Sequence, residues 1–390
     1  MVALFLRLGT FFIPHDSWDQ IYYTAAAMKL DTAGFDGYTM RGVGKYNAGN
    51  NVFLYPEADP AKTLLARSPV SKGYDTPVFY APPAFPYALM GAHRILEIEQ
   101  PYQTSSKALA AVPLIFSLLT ILLIMLFCLS YATPMVAFWA GLFLAVSPGD
   151  IMAAAKLWTD APFTFFFTAS LILLYQAYRY NRLLTLIVSG ALAGIAMLTR
   201  NFGVVLFPIV GLYHFLTQKD SIKQPLVFSV AAIAVSGFWF WLMFSTYGSP
   251  LYQPPIIKEV MESNFVKFVM NRPWYTYVVN IFVQNPAFAL SLGLLSVKSI
   301  DISIKKLLCI WVCVPFVVLT LLRLMTPLSV EDRYMLAAYP ALSIAAGMAM
   351  MDVRKNLLMY GLIAIACGWS VYLGIKYTYL LTSDCIPFPL

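Results

Sequence analysis

Five acidic side chains, Asp16, Asp19, Asp160, Glu331 and Asp332, stand where apolar stretches of this chain meet water. Their neighbours are of kinds that handle sugars and phosphates. Asp16 and Asp19 are three apart at the mouth of a helix-like run and are followed by Tyr22 and Tyr23, so both carboxylates can address one point at a bilayer surface. Acids at that position also offset the helix dipole without any further task. Asp160 follows Lys156-Leu157-Trp158-Thr159 and precedes Ala161-Pro162 and a run of phenylalanines. An ionised group so close to hydrocarbon is costly without a partner or a task, and Lys156, one helical turn earlier, offers a partner. The competing reading is a helix cap, with Thr159 or Asp160 at the start and Pro162 in the first turn. Arg200 lies between two short apolar runs, so its junction can sit below the surface and carry a planar fork of donors, suited to phosphate, into a cavity. It can equally snorkel to the interface. Glu331-Asp332-Arg333-Tyr334 is a third junction of mixed charge, ahead of the apolar run 335–351. Carboxylates and cations gathered at one rim point to an enzyme acting on a substrate that is part lipid and part sugar.

The elements that must position these groups are membrane spans. Mean hydropathy is +0.71, and charged residues make up 12% of the 390. A helix needs about 20 apolar residues to cross about 30 Å of hydrocarbon. On that criterion ten runs qualify: 107–131, 134–150, 161–179, 183–199, 202–217, 224–246, 277–297, 307–325, 335–351 and 357–381. They lack the alternation of barrel strands, and a crossing segment must satisfy its own backbone, so an all-α polytopic bundle of about 10 to 11 transmembrane helices is expected. Residues 1–13 are apolar, carry Arg7 and are too short to cross; they read as the remnant of a first transmembrane helix. With that fragment running outward, the inner loops are 131–134, 179–182, 217–224, 298–306 and 352–356, which hold nine Lys/Arg against three acids. Basic inner loops satisfy the positive-inside rule. Every candidate site residue then falls on the outer face. The net charge of +7 follows from these loops and calls for no nucleic-acid partner.

The chain divides into the remnant at 1–13, a first exoplasmic loop at 14–106, a bundle at 107–381 with an outer loop at 245–276, and an outer tail at 382–390. So long a connection is uncommon without a role. It is expected to fold onto the membrane face, with helices over 17–30 and 84–96, the second opened by Pro82-Pro83 and lying in the interface. A further amphipathic stretch is expected at 256–270. Cys128, Cys309, Cys313 and Cys367 lie in apolar spans and Cys385 in the tail, so no disulfide framework is expected.

At these residues the chain resembles the GT-C superfamily of polytopic glycosyltransferases, in the branch of protein O-mannosyltransferases and lipid A aminoarabinose transferases. The resemblance rests on Asp16-Ser17-Trp18-Asp19-Gln20-Ile21-Tyr22-Tyr23, Tyr80-Ala81-Pro82-Pro83-Ala84-Phe85-Pro86-Tyr87, Asp160, the Leu-Thr-Arg junction at Arg200, and Asp332-Arg333-Tyr334 followed by Ala-Ala-Tyr-Pro-Ala-Leu. It implies an integral membrane enzyme of the inner, plasma or ER membrane, with its site on the periplasmic, extracellular or luminal face. The donor would be a polyprenyl-phosphate sugar and the acceptor a hydroxyl on protein, lipid or glycan. A first-loop aspartate would activate the acceptor, Asp160 would orient acceptor or metal, and Arg200 would hold the donor phosphate. Lys156, Tyr22, Tyr23, Glu331, Asp332, Arg333 and Tyr334 would complete substrate binding. The family's Asp-Glu pair becomes Asp19-Gln20 here, which leaves Asp16 and Asp19 as rival bases. His15 beside them could complete a divalent-cation site, but an interface histidine is more often a plain polar contact, and no metal is assigned. Two other classes stay open, a transporter or flippase and a non-catalytic subunit of a glycan-assembly complex. The scarcity of ionisable groups at mid-span and the lack of an internal repeat weigh against transport.

Overall fold

Helix length against bilayer thickness decides how these runs are used. A computed structural model of the chain describes residues 1–13, 18–34, 82–96, 106–217, 222–247, 275–325, 332–351 and 357–381. Among the described residues the secondary structure is helical, without strands. After a short N-terminal segment come two surface helices, α1 (Trp18–Ala33) and α2 (Ala84–Ile95). The bundle follows as α3 (Ala111–Tyr131), α4 (Pro134–Ala145), α5 (Pro148–Ala155), α6 (Asp160–Tyr180), α7 (Leu183–Thr199), α8 (Leu206–Thr217) and α9 (Lys223–Tyr247). It ends with α10 (Thr276–Gln284), α11 (Ile302–Met325), α12 (Tyr339–Ala349) and α13 (Leu357–Ile375). The foreseen surface helices thus form close to their expected bounds, while the stretch 256–270 lies outside the described residues.

The spans are less uniform than the hydropathy pattern suggests. Five described helices are long and apolar enough to cross, and seven crossings result if each bent pair counts as one. The single span expected at 134–150 is α4 and α5, bent by 62°. That expected at 277–297 is α10 followed by a 3-10 segment, Pro286–Leu295, bent by 110°. Both breaks carry a proline at the start of the second piece, where the missing N–H removes a ladder bond. The run 335–351 begins as a 3-10 segment, Asp332–Ala338, and only then becomes α12. The runs on either side of Arg200 are short helices, as their length implies.

α6 and α12 are the inner helices, each largely buried, whereas α9 and α13 show most of their apolar surface on the outside. α6 packs on α7, and α7 packs on α9 through Gly190 and Gly194. A Cβ at Gly194 would stand 2.7 Å from the Ala232 carbonyl oxygen, so this G-xxx-G face lets two helix backbones approach where no hydrophobic force drives them together.

Charge separates to the two ends of α6, which at 1.5 Å per residue lie about 30 Å apart. At its C-terminal end Arg179 Nη1 donates to Asp301 Oδ2 at 2.6 Å, and Lys306 Nζ donates to the Leu216 carbonyl at 2.7 Å. Loops foreseen as inner therefore share one end. The Asp301 carboxyl lies below the usual carboxylate range, held there first by the Ser303 backbone N–H and then by Arg179.

The N-terminal segment packs against the bundle. A short helix (Val2–Phe5) packs on α4, and a 3-10 turn (Leu8–Phe12) packs on α5, where Thr10 Oγ1 donates to the Ala155 carbonyl at 2.8 Å. Arg7 is fully buried and forms an ion pair with Asp150, donates from Nε to Ser117 Oγ at 2.9 Å, and reaches the Ala3 and Ala145 carbonyls. Ser117 Oγ donates in turn to Asp150 Oδ2 at 2.7 Å. Removing one partner of such a pair strands a buried charge, so Arg7→Met or Asp150→Leu alone should destabilise by about 3–5 kcal/mol, while the double replacement should stay near wild type. Thermal unfolding in detergent measures this; single variants as stable as wild type would show that the pair does not hold the segment.

Candidate active site

At the other end of α6 four separate stretches of chain meet. α1 contributes its first turns: Asp19 Oδ2 accepts from Arg333 Nη1 at 2.6 Å, and Gln20 Oε1 accepts from the Leu157 backbone N–H at 3.2 Å. One turn on, Tyr23 is buried, its ring edge-on to Phe85 of α2 with centroids 5.3 Å apart. Its hydroxyl bonds to Thr159. Burial first, and then the Asp19 carboxylate, push the Tyr23 phenol upward, against the smaller opposing influences of Arg200, Thr159 and Arg333. The group is therefore a neutral hydroxyl throughout the working range.

The segment between α5 and α6 is the second contributor. Lys156 to Thr159 are not helical, and the Trp158 N–H folds back on the Lys156 carbonyl at 2.7 Å. The expected one-turn spacing of Lys156 and Asp160 consequently does not arise. Lys156 Nζ lies 5.7 Å from the Trp158 ring centroid. Asp160 begins α6, where the helix dipole favours a negative charge. Thr159 makes no side-chain capping bond there.

Arg200 is the third. It ends α7 in extended conformation, forms an ion pair with the buried Asp160, and stacks 5.1 Å from the Tyr334 ring centroid and 5.8 Å from that of Phe163. Asn201 beside it accepts from Trp239 Nε1 of α9 at 3.1 Å, which steadies the turn. The fourth stretch is the 3-10 segment at 332–338, held by Trp311 Nε1 donating to the Ala337 carbonyl at 2.6 Å. It places the Arg333 guanidinium 4.7 Å from the Trp158 ring centroid and 5.9 Å from that of Tyr334.

Asp19, Tyr23, Lys156, Asp160, Arg200, Arg333 and Tyr334 are thus brought to one place. Asp16 and Glu331 lie outside the described residues; Tyr22 and Asp332 are described in backbone only. Sequence reasoning treated Gln20 as a departure from a family pattern, whereas here its amide ties α1 to the segment before α6. It also passed over Trp158, although a tryptophan between Lys156 and Asp160 was a visible signal. Among the described residues no group of three or more His, Cys, Asp and Glu converges to hold a metal. Asp19 and Asp160 each face a guanidinium, so what is described fits an anionic ligand better than a cation.

The comparisons with known proteins bear on this arrangement. The sequence profile of the dolichyl-phosphate-mannose-protein mannosyltransferase family matches residues 80–244. No curated protein sequence matches the chain. Among solved structures, ArnT from Cupriavidus metallidurans in the apo state superposes with a TM-score of 0.60 at 16% identity, covering 99% of this chain and 65% of that one. The same protein bound to undecaprenyl phosphate gives 0.61 at 16% identity, covering 97% of this chain and 64% of that one. The oligosaccharyltransferase AglB from Archaeoglobus fulgidus, in complex with an inhibitory peptide and a dolichol-phosphate, gives 0.56 at 14%, covering 100% and 55%. The chain thus spans somewhat under two thirds of the length of ArnT and about half that of AglB. With its apolar helices and this likeness to two GT-C proteins, the chain is a polytopic membrane protein with the GT-C fold.

Proposed function

We propose that the chain is a glycosyltransferase that moves a sugar from a polyprenyl-phosphate donor to an acceptor hydroxyl at the exoplasmic face. The observation that carries the reading is the meeting of Asp19, Asp160, Arg200 and Arg333, from four stretches of chain, at the N-terminal end of α6. The lipid phosphates in the ArnT and AglB structures give the fold a history of such ligands. Formal charge agrees: Lys156, Arg200 and Arg333 against Asp19 and Asp160 leave one positive charge among the described groups, the complement of a phosphodiester's single negative charge.

In this reading Asp19 takes the proton as the acceptor oxygen attacks the anomeric carbon, and the bond from that carbon to the phosphate oxygen breaks with inversion. Arg200 stabilises charge gathering on the departing lipid phosphate. Arg333 neutralises Asp19 while the site is empty and turns to the phosphate when the donor enters, leaving the carboxylate available as base. Asp160 holds Arg200 in place and orients the acceptor. Tyr23, protonated, donates a hydrogen bond and does not act as a base. The basic loops at the far end of α6 support placing the site on the outer face. Asp16 remains the rival base.

A transfer assay on the purified chain in proteoliposomes, with a panel of labelled polyprenyl-phosphate sugars, tests the whole scheme. Asp19→Asn should lower kcat by about 10²–10⁴-fold with lipid binding retained, and Arg200→Gln by about 10²–10³-fold. Wild-type turnover in Asp19→Asn would transfer the base to Asp16. Lipid movement across the bilayer without any sugar transfer would favour the flippase reading.

Tyr23 makes a separate prediction. The folded protein keeps a proton that the unfolded chain releases near pH 10, so stability should be whole below pH 10 and fall above it by up to about 1.4 kcal/mol per pH unit. Tyr23→Phe should flatten that decline. An ultraviolet titration in which wild type and Tyr23→Phe differ by one tyrosinate formed near pH 10 would contradict the assignment.

A further inference from the structure

Buried tryptophans in this fold find acceptors for their indole N–H groups. Trp239 Nε1 donates to Asn201 Oδ1 at 3.1 Å and Trp311 Nε1 to the Ala337 carbonyl at 2.6 Å. Even the exposed Trp369 donates to the Val283 carbonyl at 3.0 Å. Among the described buried tryptophans Trp158 is the exception: it is only 2% exposed, and its Nε1 has no hydrogen-bond partner. A purely apolar side chain could pack against Met152 and Tyr377 without burying a donor. Keeping an indole where its N–H is unmet is unfavourable unless something else supplies the acceptor.

The surroundings say what that acceptor is. The Arg333 guanidinium stands 4.7 Å from the ring centroid and Lys156 Nζ 5.7 Å from it, and Lys156 is itself buried. Two cations near one indole favour an anion beside it, and a phosphate carries several oxygens that can accept from such donors. Thr159 and Asp160 follow directly in the chain.

We propose that the Trp158 indole N–H is a binding donor to a phosphate oxygen of the lipid-linked ligand, shared with Arg333 and Lys156. This rests on the donor class proposed above and adds the residue that reads its phosphate without carrying charge. Trp158 holds the ligand and takes no part in proton transfer.

The test is equilibrium binding of tritiated undecaprenyl monophosphate, which carries no sugar, to the purified full chain. Trp158→Phe, and a variant with 3-benzothienylalanine at 158 that keeps the bicyclic shape but lacks the N–H, should each bind about ten- to hundredfold more weakly, as expected for one hydrogen bond to a charged acceptor. The second variant carries the test if Trp158→Phe fails to fold. Wild-type affinity in the shape-preserving variant overturns the inference. So does a loss seen only with a sugar-bearing donor, since the acceptor would then be a sugar hydroxyl. A wild-type chain that does not bind the probe at all removes the proposed donor class itself, and is thereby distinguished from failure of Trp158 alone.

Discussion

Two buried or half-buried carboxylate–guanidinium pairs, Asp160 with Arg200 and Asp19 with Arg333, join the stretches that meet at the N-terminal end of α6. Each pair spans elements remote in sequence: one joins the start of α6 to the end of α7, and the other joins α1 to the 3-10 segment before α12. Near hydrocarbon, an ionised group without a counter-charge is strongly unfavourable. These four side chains therefore constrain one another, and the neighbouring Trp158, Phe163 and Tyr334 rings pack against the cations so formed.

The same constraint suits the proposed exchange with a lipid-linked phosphate. A guanidinium paired with a carboxylate is stable but exchangeable, and an entering phosphate offers the same bidentate acceptor geometry. Neutral anchors prevent the exchange from dismantling the site. Gln20 ties α1 to Leu157, Trp311 ties the 3-10 segment to α11, and Trp239 ties the Arg200 turn to α9. None of these three bonds depends on a charge that the ligand would displace. Deeper in the bundle, the Arg7, Ser117 and Asp150 cluster plays a different part. Its charges meet each other and backbone carbonyls, a closed arrangement that fastens the N-terminal segment to α3 and α5.

Much of this was legible beforehand, and the limits were physical. The second surface helix announced itself through Pro82-Pro83, because first-turn prolines act over a few residues. The short runs flanking Arg200 were read as short because length is counted directly. Bending was missed at Pro148 and Pro286, since an apolar run looks continuous in hydropathy whether or not its axis turns. Lys156 was expected one helical turn from Asp160, and the irregular backbone between them cancelled that spacing. Gln20 and Trp158 were visible as letters, but their roles depend on which backbone N–H and which cations approach them.

The sequence by itself determined that the chain is a helical membrane protein, that charge is sorted between the helix ends, and that carboxylates and arginines gather at the ends opposite the basic loops. Those properties are local: they follow from apolar run length and from residues close in the chain. Tertiary structure alone decided which acid meets which base, since Asp19 and Arg333 are 314 residues apart. It alone placed Arg7 inside rather than at an interface. Pairings of that range are set by how α6, α7 and α12 pack, and packing is a property of surfaces in three dimensions that no one-dimensional periodicity records.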